Sequence, residues 1–263
     1  MQGKSKKVLP VVLVIIIIGL VIFILINSGV INSSDTTKEN NTKNTTVTNL
    51  DTDNANVKAL IKQVHNPSQT IDELIFVSGG SLVSEMTEEY KFAIATNTPT
   101  IQLTTYSTPT EDGYYGEIPE EDVKDAYERL FGPGTYKAID SFTLGCMPVT
   151  YDSTNKRYVT SKDGCGVPTT PVNMQEEILD ITKTDKKLTV LTAVLFYDNV
   201  EGNLYKDSNL TKKLETKADS ELTDDNLKQY IKENKDQLEQ YTYTFDIATD
   251  GFYYYTGVKR TQE

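Results

Sequence analysis

The feature that most limits what this chain can become is a 19-residue run, Val8 to Ile26, without a charged or strongly polar side chain and with four consecutive isoleucines, Ile15 to Ile18. At 1.5 Å per residue such a run makes a helix about 28 Å long, enough to cross the roughly 30 Å hydrocarbon layer of a bilayer. Pro10 falls in the first turn, where a missing N–H costs little, and Gly19 is tolerated in lipid. Lys4, Lys6 and Lys7 precede the run, and the next charge is Asp35. Positive residues stay on the cytoplasmic side. Residues 1–7 are therefore expected as a cytoplasmic tail, 8–26 as a single transmembrane helix, and everything after it outside the plasma membrane. A cleaved signal peptide is the competing reading. Its apolar stretch is usually about 7–15 residues long and ends at small residues. The run here is longer and exits into Asn27-Ser28-Gly29-Val30.

From Asn27 to Asn56 the composition turns to Asn, Thr, Ser and Asp with scattered Lys. Such a stretch buries too little apolar surface to offset ordering entropy, so residues 27–56 are expected to be a flexible stalk. The extracytoplasmic domain is then 57–263. With 26 basic against 38 acidic side chains the chain carries a net charge of −12, the opposite of what nucleic-acid phosphates require. One His and two Cys cannot supply a zinc site built mainly from those ligands, and no metal or cofactor is implied. Asp51-Thr52-Asp53 opens like a calcium loop, but Asn56 and Lys62 stand where Gly and Glu are needed. Glycine-rich phosphate loops, His-Glu-x-x-His and Gly-x-Ser-x-Gly are all absent from the sequence. Ser153-Thr154-Asn155-Lys156 matches Ser-x-x-Lys but falls in a turn, not at a helix start.

Within the domain, helices are expected first. Val57, Leu60, Ile61 and Val64 follow helical spacing, with Asn56 as cap and Asn66-Pro67 as stop. His65 sits on the last turn and reads as a boundary residue. A second helix runs from Ser84 to Asn97. A third starts at Pro119 with Glu120, Glu121 and Asp122 in its first turn and ends at Gly132-Pro133. Its wet face sets Glu120 four residues before Lys124. After Thr135 the period moves toward two. Strands are expected at Phe142–Tyr151 and Arg157–Ser161, around the Asp152–Lys156 turn, and at Glu177–Thr182 and Leu188–Tyr197, the last buried on both faces. A fourth helix carries Leu227, Tyr230, Ile231 and Leu238. Tyr241–Ile247 and Phe252–Lys259 pair across Asp250-Gly251. A two-residue loop there sets Ile247 against Tyr254, Phe245 against Thr256 and Tyr243 against Val258, with Tyr253 and Tyr255 on the outer face. The expected fold class is α+β: helices packed on a mainly antiparallel, curved sheet, as in cystatin-like or nuclear-transport-factor-like folds.

Cys146 and Cys165 are the candidates for covalent chemistry. They flank the Asp152–Lys156 turn symmetrically, and a hairpin centred between 155 and 156 would set them across from each other as a disulfide in an oxidising compartment. Thr143-Leu144-Gly145-Cys146 also resembles the strand that carries the sortase cysteine and the cysteine segment of L,D-transpeptidases. That resemblance implies a Cys146-dependent wall transpeptidase or hydrolase, with Arg157 as oxyanion donor and His65 as the sole histidine. A Thr of the first pattern is missing, and Leu144 replaces the His of the second. Tyr114, Tyr115, Tyr253 and Tyr255 form a candidate binding surface for a glycan or an envelope protein, because tyrosine offers contact area at low entropy cost. The layout as a whole resembles a group of uncharacterised single-pass exported proteins of low-GC Gram-positive bacteria. The matching pieces are Glu88-Glu89-Tyr90-Lys91, Asp122-Val123-Lys124-Asp125-Ala126-Tyr127 before Phe131-Gly132, and Gly145-Cys146 with Gly164-Cys165-Gly166. This resemblance implies a tethered envelope domain and no particular activity.

Overall fold

Strand-forming sequence dominates the second half of the chain and builds most of a large antiparallel sheet. The computed structural model describes residues 46–64, 79–96, 98, 101, 103–105, 108–144, 147–160, 172–198, 200–249 and 251–262. The expected membrane helix, the stalk up to residue 45, His65 and both cysteines lie outside the described residues. Among the described residues no helix is long and apolar enough to cross a membrane. In chain order the elements are β1 Thr48–Leu50, α1 Ala55–Val64, β2 Gly80–Leu82, α2 Glu88–Thr96, β3 Thr104–Thr105, β4 Gly116–Pro119, α3 Glu120–Phe131, β5 Ser141–Leu144, β6 Met147–Asp152, β7 Arg157–Thr160, β8 Val172–Lys183, β9 Lys187–Asp198, β10 Asn203–Tyr205, β11 Lys213–Thr216, α4 Asp224–Asn234, β12 Glu239–Ile247 and β13 Tyr253–Gln262. The class is α+β.

Two sheets form where one was expected. The larger runs β1-β8-β9-β12-β13-β2, with β10 and β11 continuing from β9, and the smaller runs β3-β4-β7-β6-β5. The described pairings are antiparallel. β9 is the central strand, and its sequence explains why. Leu188, Val190, Val194 and Phe196 enter the main core with Val57 and Ile61 of α1, Phe92 and Ile94 of α2, and Val123 and Leu130 of α3. Ala193 and Leu195 point the other way, onto Leu227 and Ile231 of α4. A strand covered on both faces needs apolar residues at consecutive positions, as β9 has.

The main core also takes Ile118, Phe142, Val149 and Tyr158 from the smaller sheet, so one core serves both sheets. Phe92 is its hub: its ring lies 5.0–5.9 Å from those of Tyr127, Tyr136, Phe142 and Tyr158. Residues Phe92 to Thr96 are all buried, so α2 is an interior helix and not the one-sided helix its spacing suggested. Its start is later than expected. Val83–Glu85 forms a separate 3-10 turn, and the Thr87 hydroxyl accepts from the Tyr90 N–H at 3.3 Å to begin the helix. At α1 the cap is Asn54 and not Asn56: its side-chain oxygen accepts from Asn56 N at 3.1 Å and Val57 N at 3.2 Å.

Three strand assignments change. Thr48–Leu50, placed in the stalk by composition, pairs with Ile181–Lys183 as an edge strand. Phe142–Tyr151 is divided between two strands, β5 and β6, which pair with each other from Ser141 with Thr150 to Leu144 with Met147. In β12–β13, Tyr243 faces Val258 as expected, but nearer the turn Phe245 faces Tyr255 and Ile247 faces Tyr253, with a bulge between. That single extra residue moves Tyr255 from the outer face into the core.

Candidate functional site

Among the described residues, a group of polar and aromatic side chains gathers on the β6–β7 hairpin and the loop before β4. Its turn is built by Asp152. One carboxylate oxygen accepts from Thr154 N at 3.2 Å and Asn155 N at 3.1 Å, and the other accepts from the Asn155 side-chain amide at 2.8 Å. Lys156 closes the turn with φ of 55°. The resulting ladder pairs Tyr151 with Tyr158 and Asp152 with Arg157, so it is centred between residues 154 and 155. This is one position short of the centre between 155 and 156 expected for the hairpin. Cys146 and Cys165 themselves lie outside the described residues.

Arg157 is expected as an oxyanion donor if Cys146 is a nucleophile. Its guanidinium is already engaged: Nε donates to Asp152 at 3.1 Å, Nη1 to Glu117, and Nη2 lies 3.6 Å from Asp112. The same group lies 5.6 Å from the centre of the Tyr114 ring. Hydrogen bonds from Asn155 and then Arg157 hold the Asp152 carboxyl down to about 2. A cation shared by three carboxylates has little left to offer a substrate oxygen.

Beside it, Glu120 leaves the wet-face role expected with Lys124. The Tyr151 hydroxyl donates to it at 2.7 Å and the Tyr136 hydroxyl at 3.4 Å, while Lys156 stands 3.9 Å away. Tyr158 completes the group, 3.3 Å from the Tyr136 hydroxyl and accepting from Ile139 N at 3.3 Å. Burial raises the phenols of Tyr136 and Tyr158, and the bond to Glu120 raises that of Tyr151. Each stays protonated well above neutral pH. The phenols therefore offer O–H donors and ring faces.

The tyrosines singled out in sequence part company. Tyr114 and Tyr115 are half-buried at this site, Tyr115 donating its backbone N–H to Thr160 O at 2.8 Å. Tyr253 is half-buried at the far hairpin under the Lys183 ammonium, 5.6 Å from its ring centre. Tyr255 is withdrawn from any surface: it is 2% exposed and packs 5.4 Å from Phe245. Sequence reasoning missed Tyr136, Tyr151 and Glu120. The available signal was Tyr151 and Tyr158 flanking the same turn. Among the described residues, no group of three or more His, Cys, Asp or Glu side chains is placed to hold a metal ion. Comparison with protein-family models, curated proteins and solved structures finds no match.

Proposed function

We propose that this chain is a membrane-tethered, extracytoplasmic domain that binds or scaffolds at the cell envelope without catalysing a reaction. The supporting observation is that, among the described residues, the charged side chains Arg157, Glu120 and Glu88 are each held by neighbours in the fold. Arg157 is held by Asp152, Glu117 and Asp112, Glu120 by Tyr151, and Glu88 by Tyr127 at 2.8 Å and Lys91 at 2.8 Å. The Val8–Ile26 run, the lysines before it and the acidic composition after it support the tether and its orientation. On this reading a glycan or envelope protein meets the ring faces and hydroxyls around Tyr114, Tyr115 and Tyr151, and Cys146 and Cys165 form a disulfide.

A Cys146-dependent transpeptidase requires the opposite sulfur chemistry, a free thiol of low pKa beside a base. Maleimide labelling of intact cells displaying the full chain tests both. Labelling only after reduction is expected. A thiol that labels without reduction, and whose Cys146→Ser variant loses a wall phenotype, would reverse the assignment.

A further inference from the structure

Three segments remote in sequence converge on one end of the large sheet. β8 and β9 turn there, with the Thr184 N–H donating to Lys187 O at 2.8 Å. The β12–β13 hairpin turns beside them, the Ile247 N–H donating to Lys186 O at 2.8 Å. β1 begins at the same place, since Thr48 pairs with Lys183. The order β1-β8-β9-β12-β13 makes this end about 19 Å wide at ~4.8 Å per strand. Val47 and Phe252 stand out from it, 61% and 56% exposed. Among the described residues, the other large apolar side chain so exposed is Val200, at 84%, just past the far end of β9. At ~3.3 Å per residue the length of β9 separates the two ends by about 36 Å. Lys183, Lys186 and Lys187 rim the first end with Asp185 and Asp246, three cations against two anions on a chain of net charge −12.

We propose that this end of the sheet docks on the lipid headgroup layer of the membrane that the Val8–Ile26 run enters, with Phe252 and Val47 seated in the interface. The inference rests on the anchor reading above. Twenty residues, Asn27 to Thr46, join the apolar run to Val47. As coil they reach about 25 Å, and fully extended about 70 Å, so the tether keeps the domain at the surface and delivers this end to it. Aromatic and apolar tips among lysines match the composition of interfacial anchors. A rim of three lysines against two described aspartates escapes the repulsion that anionic lipid exerts on the rest of an acidic surface.

The chain has no Trp, so Phe252→Trp and Val200→Trp each install a single reporter at an exposed position. The full chain is reconstituted in vesicles of phosphatidylcholine and phosphatidylglycerol, with or without bromine near the carbonyl end of the acyl chains. The emission of F252W is expected to fall about twofold with bromine while that of V200W does not change. Vesicles that float with the protein but quench both positions alike overturn the docking and leave the anchor standing. Protein that fails to float with the vesicles overturns the anchor, and the docking with it.

Discussion

Tyr255 is a core residue that ends in a polar atom with nothing to bond. Among the described residues its hydroxyl is the buried side-chain atom left without a hydrogen-bond partner, and burial pushes its phenol well above the usual range. Tyr255→Phe removes that hydroxyl and keeps the ring against Phe245. It should stabilise the protein by about 1 kcal/mol, read as a higher midpoint in urea with an unchanged slope. Glu177 gives a second, pH-dependent prediction. Its side chain is 13% exposed with Lys232 3.9 Å away, and burial raises its carboxyl above the ordinary value. A raised carboxyl contributes stability below its unfolded value of about 4.3 and loses it as the pH rises through the folded value. Glu177→Gln should therefore raise the melting temperature by about 1–2 °C at neutral pH and give no gain near pH 4. A uniform shift at both pH values would remove desolvation as the cause.

At the scale of elements, the pairing of β13 with β2 depends on a glycine. Gly257 has φ of 141°, and a Cβ there would lie 2.7 Å from Ser81 O and 2.8 Å from Leu82 Cα. Gly257→Ala should cost about 3 kcal/mol and open the β2 pairing, visible as faster amide exchange at Ser81 and Val258. The same spot shows what sequence could and could not disclose. Alternation identified β12 and β13 and their pairing at Tyr243 and Val258, because side-chain period follows directly from strand geometry. Strict alternation carries no bulge, although Gly257 beside it is the residue type that marks one inside a strand, and so the expected register sets Tyr255 on the outer face. β1 escaped notice for a related reason: a three-residue edge strand is held by backbone bonds to β8, which Asn and Thr make as well as Val does. β5 and β6 read as one strand because Gly145-Cys146 interrupts the alternation without a turn signature. Of the candidate site, the turn at Asp152 was legible, while Glu120 was not. Its partner Tyr151 is set by how α3 and β6 pack, which the i, i+4 rule on an isolated helix does not contain.

For the whole molecule, residues from Thr45 onward form one compact unit. Limited proteolysis of the full chain should leave a fragment whose amino terminus lies close to Thr45. A fragment starting near Val57 would mean that β1 frays from β8 in solution. Amino-terminal sequencing of the resistant core decides between them. The Phe92 hub carries a further consequence for that unit. One ring touches Tyr127 of α3 and two strands of the smaller sheet, β5 through Phe142 and β7 through Tyr158, and the same apolar mass supports the larger sheet. The smaller sheet's Ile118, Phe142, Val149 and Tyr158 are all buried in that shared core, so it should not open by itself, and melting should run as a single transition without a half-open species baring unpaired strands to its neighbours.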